Sequence, residues 1–139
     1  MTQDNVDLVR RSFQALAHGD FEAAFADHDP NTEWRTASDE PDSQTYRGIE
    51  GLWRLVATLA EPWENRFDGS VQLKELRAHG PWVIVPWRGR LHGRGSGLEL
   101  EVFETCAVLV RAGKIARVEE YRTTEEAVQA VRARGAAAG

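Results

Sequence analysis

The sequence predicts an α+β domain, in which a curved antiparallel sheet wraps around helices to form a cone with an internal pocket. Three observations lead there. Apolar residues recur at helical spacing as far as Pro62, and from Phe67 onward they alternate in strand-like runs broken by turns. The chain also carries five tryptophans among 139 residues. Rings of that size need a deep core or a ligand cavity.

The elements follow in order. Val6, Val9, Phe13 and Leu16 lie on one face of a helix over residues 4–17, with Asp4 as its N-cap and Gly19 as its stop. Asp20 caps a second, short helix, "FEAAFADH", which Pro30 and Asn31 end. Thr32 to Thr36 read as a short strand, and "ASDEPDSQT" as a polar loop. In "YRGIEGLWRLVATLAEPW", Ile49, Leu52, Trp53, Val56 and Leu59 form a broad apolar stripe on a third helix, which Pro62 ends. Four strands make an antiparallel meander: "SVQLKELRAHG", "WVIVPWRGRLHG", "LELEVFETCAVLVR" and "IARVEEYR". Pro86 marks a bulge or an edge in the second of these. "TEEAVQAVRA" is a last helix, and "RGAAAG" is expected to fray. The whole reads as a single domain over 1–139, with an ordered core of about 4–134.

Composition narrows the function classes. A net charge of −5 argues against nucleic acid as a general partner. One cysteine excludes an internal disulfide and a cysteine-rich zinc site, and the four histidines lack metal-ligand spacing. The N-terminus has no signal-peptide pattern and no apolar run reaches the roughly 18 residues of a membrane span. A cytoplasmic protein without membrane contact is expected. "HGRGSG" (92–97) has strands on both sides, so it reads as a hairpin rather than a phosphate loop. Arg88, Arg90 and Arg94 near it read as a solvated basic patch.

Four strings carry a family resemblance: "HGDFEAAF" (18–25), "TEWR" (32–35), "YRGIEGLWRL" (46–55) and "RAGKIARVEEYR" (111–122). With the element order, they resemble the nuclear transport factor 2-like (cystatin-like) superfamily, in its SnoaL-like branch. The resemblance implies a cone fold, a homodimer through the outer sheet face, and a pocket between helices and sheet. It leaves the reaction open, because this superfamily hosts isomerases, cyclases, hydrolases and binding modules. Ketosteroid isomerase has an Asp base where this chain has Arg35 or Thr36, and a Tyr where it has Ser12. Its late-strand acid falls near Glu104 or Cys106. The Arg-x-Asp of limonene epoxide hydrolase falls on "WRG" (87–89), while its second Asp matches Glu120. For a SnoaL-type cyclase arrangement the candidates are His92 and Glu104.

Strand parity then selects the candidates. Adjacent side chains in a strand face opposite ways. On the long strand, Leu100, Val102, Glu104, Cys106, Val108 and Val110 are the more apolar set and are expected to face the core. By the parity of the resembled family, Val118, Glu120 and Arg122 face inward on the last strand, and Glu119 and Tyr121 face outward to solvent or a dimer partner. Glu104 and Glu120 are thus the candidate catalytic carboxylates. In one apolar pocket they would differ in pKa, one acting as acid and one as base. Arg35 and Arg122 are candidate counter-charges. Trp34, Tyr46, Trp53, Trp63, Trp87, Val102, Cys106 and Val118 complete the expected lining for a small, mainly apolar organic ligand. No metal or other cofactor is expected. Cofactor-independent isomerisation, cyclisation or hydration is one reading; a binding or accessory protein without turnover is the other.

Overall fold

The structure is a computed structural model that describes residues 2–37 and 44–138. Most of the polar loop expected between the first strand and the third helix lies outside the described residues. The elements are α1 (Thr2–Ala17), α2 (Phe21–Ala26), β1 (His28–Arg35), β2 (Thr45–Arg47), α3 (Gly48–Ala60), β3 (Gln72–Leu73), β4 (Arg77–His79), β5 (Trp82–His92), β6 (Glu99–Arg111), β7 (Lys114–Tyr121) and α4 (Thr124–Ala138). The fold is α+β: four helices and one open, curved sheet in the order β2-β1-β7-β6-β5-β3, with β4 also pairing β5.

Several boundaries differ from the sequence reading. The second helix stops at Ala26, and His28 already pairs with Ile115. Pro30 and Asn31 therefore do not end a helix. They sit in an irregular stretch of β1, between the paired residues His28 and Glu33, where a missing N–H costs no ladder bond. β1 also runs parallel to β7, the one parallel pairing among the described strands. Local alternation carries no signal of strand direction. Tyr46 and Arg47 form β2 rather than the start of α3; Gly48 makes the turn with φ +71°. The first strand of the meander is broken into β3 and β4. Its register on β5 slips by one residue between Leu73 and Arg77, and Lys74 N–H donates to the Pro86 carbonyl at the slip. The bulge expected at Pro86 thus falls on the partner strand. α4 continues through the stretch expected to fray, as far as Ala138.

The inner sheet face and the helices enclose the main core. Val9, Phe13, Leu52, Leu55, Val83, Val85, Cys106, Val108 and Val118 are buried there. The outer face carries a second cluster, in which Trp82, Ile84 and Ala107 pack against Ala127 and Val131 of α4. The β5–β6 hairpin projects past both cores, so Leu100 is exposed although it shares the inner parity of Glu104 and Cys106.

Candidate functional site

Sheet register decides which candidates meet. Directly opposed residues share a face. Trp87 opposes Glu104, Cys106 opposes Glu120, and Val118 opposes both Val108 and Trp34. These residues all lie on the inner face. Of these, Trp34, Trp87, Cys106 and Glu120 line a cavity beneath α1, together with Phe13, Leu16, Arg66, Phe67, Val71 and Leu73. Its volume is about 40 Å³, or about 410 Å³ when the space open to solvent at its mouth is counted. The enclosed part has room for a few waters.

The polar groups of this cavity are few and specific. The Trp34 indole Nε1–H donates to Glu120 Oε2 at 2.7 Å. The Arg66 guanidinium lies 4.4 Å from the centre of the Trp87 ring and 5.7 Å from that of Phe67. Burial pushes the Arg66 pKa down, and the nearby charges of Glu104 and Glu120 push back. Cys106 is held well above the usual thiol value, first by burial and then by Glu120 and Glu104. It is therefore a neutral thiol. Glu104 and Glu120 both act electrostatically on Arg66, and of the two carboxylates Glu120 lines the cavity.

Arg66 was not among the residues picked out from sequence. It lies between α3 and β3, in a stretch without periodicity. The available signal was Phe67 beside it, a large apolar residue in a polar loop, which turns such a loop inward. Arg94, read as part of a solvated basic patch, in fact holds this loop. Its side chain donates to the carbonyls of Ala60, Glu61 and Trp63 at 2.7–3.2 Å, capping the end of α3. Asn65, also unforeseen, pins the next turn. Its amide donates to the Arg90 carbonyl and accepts from His92 N–H, both at 2.9 Å, taking the place of a strand at the free edge of β5.

The remaining candidates are not part of this cavity's lining. Arg35 faces outward, because it opposes Glu119 on β7; it reaches Tyr121 Oη at 3.3 Å and Glu119 at 3.6 Å. Trp53 is 44% exposed and meets Phe21 and Phe25 of α2 edge-on, outside the cavity. Trp63 bridges to Gly93 at the far end of the loop. Tyr46 is buried behind Trp34 and accepts from Gln44 Nε2 at 2.7 Å. Val118 is fully buried in the core and Val102 packs at its edge. Arg122 lies one residue past β7 and is exposed. His92 and Glu104 sit on opposite faces of the sheet, which removes them as a pair. Ser12 is buried and donates to the Ala24 carbonyl at 2.8 Å.

Glu119 corrects the expectation most sharply. It faces outward as expected but is fully buried under α4 instead of meeting solvent. Arg117 Nε at 2.5 Å, Arg134 Nη2 at 2.6 Å and Tyr121 Oη at 2.8 Å all donate to it. Burial alone would raise its pKa; the three donors outweigh burial and hold it below the usual carboxylate value. α4 supplies Arg134, which also lies 4.9 Å over the Trp82 ring. Among the described residues, no three His, Cys, Asp or Glu side chains come together in a way that could hold a metal ion. No helix there is long and apolar enough to cross a membrane.

A conical α+β sheet with an aromatic cavity on its inner face defines the class: this is a nuclear transport factor 2-like fold. An NTF2-like protein from Burkholderia thailandensis E264 superposes with a TM-score of 0.74 at 29% identity, covering 91% of this chain and 96% of that one. A putative SnoaL-like polyketide cyclase from Jannaschia sp. CCS1 superposes with a TM-score of 0.72 at 20% identity, over 86% and 85%. An uncharacterised Mycobacterium tuberculosis H37Rv protein is 25% identical over 122 residues, 87% of this chain and 91% of that one. Residues 9–118 match the SnoaL-like domain model, and the chain belongs to that family.

Proposed function

We propose that the chain binds a small, mainly apolar organic molecule at the mouth of the inner-face cavity and moves a proton on it, with Glu120 as the acting carboxylate. The observation that carries this is Glu120 itself, a carboxylate in a wall of Phe13, Trp34, Trp87 and Phe67. Apolar walls supply affinity, and the Glu120 carboxylate among them supplies chemistry. Glu104 is the second carboxylate; it acts on the same cation, Arg66. Isomerisation, cyclisation and hydration all fit such a pair without a metal or a dissociable cofactor.

The second reading is a binding or accessory protein without turnover. The Trp34–Glu120 hydrogen bond favours it, because one carboxylate oxygen is already committed to the protein. A homodimer in the cytoplasm belongs to the same proposal. Phe103, 59% exposed on the outer face, is an apolar contact that such a dimer would use. Light scattering would report the dimer.

A thermal-shift screen with steroid, terpene and polyketide-like molecules tests the pocket, since a ligand of the folded state raises the melting temperature by mass action. A hit that Glu120→Gln still binds but no longer converts supports the enzyme. A hit that the wild type leaves unchanged after long incubation supports the accessory protein. No shift with any class overturns the pocket reading.

A further inference from the structure

The outer face of the sheet carries more positive charge than its own carboxylates balance. Among the described residues, the ion pairs there join four guanidinium groups (Arg35, Arg47, Arg117 and Arg134) to two carboxylates (Glu33 and Glu119), an excess of two positive charges. The chain as a whole is net negative, at −5, so this excess is local. Glu119 cannot serve all its neighbours. Arg117, Arg134 and Tyr121 donate to its oxygens, and Arg35 stays at 3.6 Å. The buried Arg35 Nε–H has no hydrogen-bond acceptor among the described residues.

Beside this cluster, the last turns of α4 and the β4–β5 turn enclose a groove of about 500 Å³. Pro81, Trp82 and Val131 give it apolar walls, and His79, Arg132 and Arg134 give it polar ones. No Asp or Glu lines it among the described residues. Arg134 is held at two points. Its Nη2 donates to Glu119 at 2.6 Å, and its guanidinium lies 4.9 Å over the Trp82 ring. A planar group fixed in this way is preorganised, and its remaining N–H groups are left for a partner. Arg132 is exposed, and its side chain forms no ion pair or hydrogen bond with another described residue. Trp82 packs with Ile84 and Ala107 against α4, so the sheet separates this groove from Glu120.

The walls select the occupant. Two guanidinium groups attract an anion, and the partial negative charge at the C-terminal end of a helix, about half a unit, does not outweigh them. A planar carboxylate matches the guanidinium fork. A bare inorganic anion would lose hydration against the apolar walls and gain nothing from them. The volume falls within the range of small-molecule sites, about 300–1,000 Å³. We propose that this groove is a second binding site, for aromatic monocarboxylates, with the carboxylate on Arg132 and Arg134 and the rings against Pro81, Trp82 and Val131. It is independent of the inner-face cavity and of any chemistry there.

Titration of the ¹⁵N-labelled full chain with 2-naphthoate, followed by NMR, locates the binding and measures it. Two comparison molecules divide the recognition. 2-Naphthamide keeps the shape and loses the charge; inorganic phosphate keeps the charge and loses the rings. Saturable shifts are expected at His79, Gly80, Trp82 and residues 131–135. Arg132→Ala should bind 2-naphthoate about tenfold more weakly, the loss of one charge-assisted hydrogen bond. Arg132→Lys should fall between that variant and wild type, and Arg132→Glu should be weaker than both. 2-Naphthamide should also bind at least about tenfold more weakly. Arg132 is a surface residue, and the spectrum of each variant reports that it is folded. Four results would each overturn the proposal: no shifts at the groove, equal affinity for 2-naphthamide, unchanged affinity in Arg132→Glu, or displacement of 2-naphthoate by equimolar phosphate.

Discussion

His28 sets a pH dependence that can be worked out from the structure. It is 5% exposed at the start of β1, its Nδ1 lies 3.0 Å from Thr32 Oγ1, and its ring meets Phe25 and Trp34. Burial lowers its pKa from 6.5 to about 4, against a smaller opposing pull from Asp27. The folded state therefore holds a neutral imidazole, while the unfolded chain takes up a proton near the ordinary value. Between these two values the unfolded state binds more protons, so stability rises with pH. The contribution is complete above the unfolded value and is lost as pH falls from about 6.5 to about 4. At about 1.4 kcal/mol per pKa unit, the whole term is roughly 3 kcal/mol, of which about 2 kcal/mol falls between about pH 7 and pH 5. Urea unfolding followed by tryptophan fluorescence across that range measures it directly. His28→Gln should be less stable at neutral pH and should lose most of the slope. Glu119 does not confuse the result, because its depressed pKa makes its own contribution disappear only below the ordinary carboxylate value. A flat or inverted wild-type profile, or an unchanged slope in His28→Gln, would refute the reasoning.

Three further substitutions follow from the geometry. Glu119→Ala removes one side of a buried ion cluster and should cost about 3–5 kcal/mol. The lower end is expected, because Arg35, Arg117 and Arg134 are each about a third exposed and water takes up part of their charge; urea titration gives the value. Arg94→Ala frees three carbonyls at the end of α3 and should lower stability by about 1–3 kcal/mol. Faster amide exchange over residues 60–66 would accompany it. Gly48→Ala places a side chain at φ +71° and should destabilise by about 1–2 kcal/mol, seen as a lower melting temperature.

Strand parity made most of the inner wall legible. Glu104, Cys106, Val118 and Glu120 lie on one face because a strand alternates whatever its neighbours are. What lies over each face was not legible. Two neighbouring positions show the difference: the side toward which Glu119 points follows from alternation, but its burial depends on α4, which contributes Arg134 from fifteen residues further along the chain. Trp53 lies on the helical stripe yet emerges at the surface, because α2 meets α3 at that point and the cavity does not. The parallel β1–β7 pairing joins segments more than eighty residues apart and leaves no trace in local pattern. Arg66 belongs to an irregular loop, where no period exists to read. Its place follows from Arg94 and Asn65, whose hydrogen bonds run to the backbone of distant residues.

Glu119 and Glu120 therefore assign two jobs to adjacent positions on one strand. Glu119 is sealed in an outer-face ion cluster with three hydrogen-bond donors and is fully buried. Glu120 lines the cavity, where the Trp34 indole donates to its Oε2 and Arg66 shares the lining. The sheet itself separates them, so perturbing one should leave the other's environment intact. Glu119→Gln should lower stability, seen as a reduced urea midpoint, while ligand-induced thermal shifts keep their size. Glu120→Gln should lower the urea midpoint less than Glu119→Gln does, because a glutamine oxygen still accepts from Trp34 Nε1, while any proton transfer on a bound ligand disappears. If the two substitutions act alike on both measurements, the division of the strand into a structural face and a chemical face is wrong.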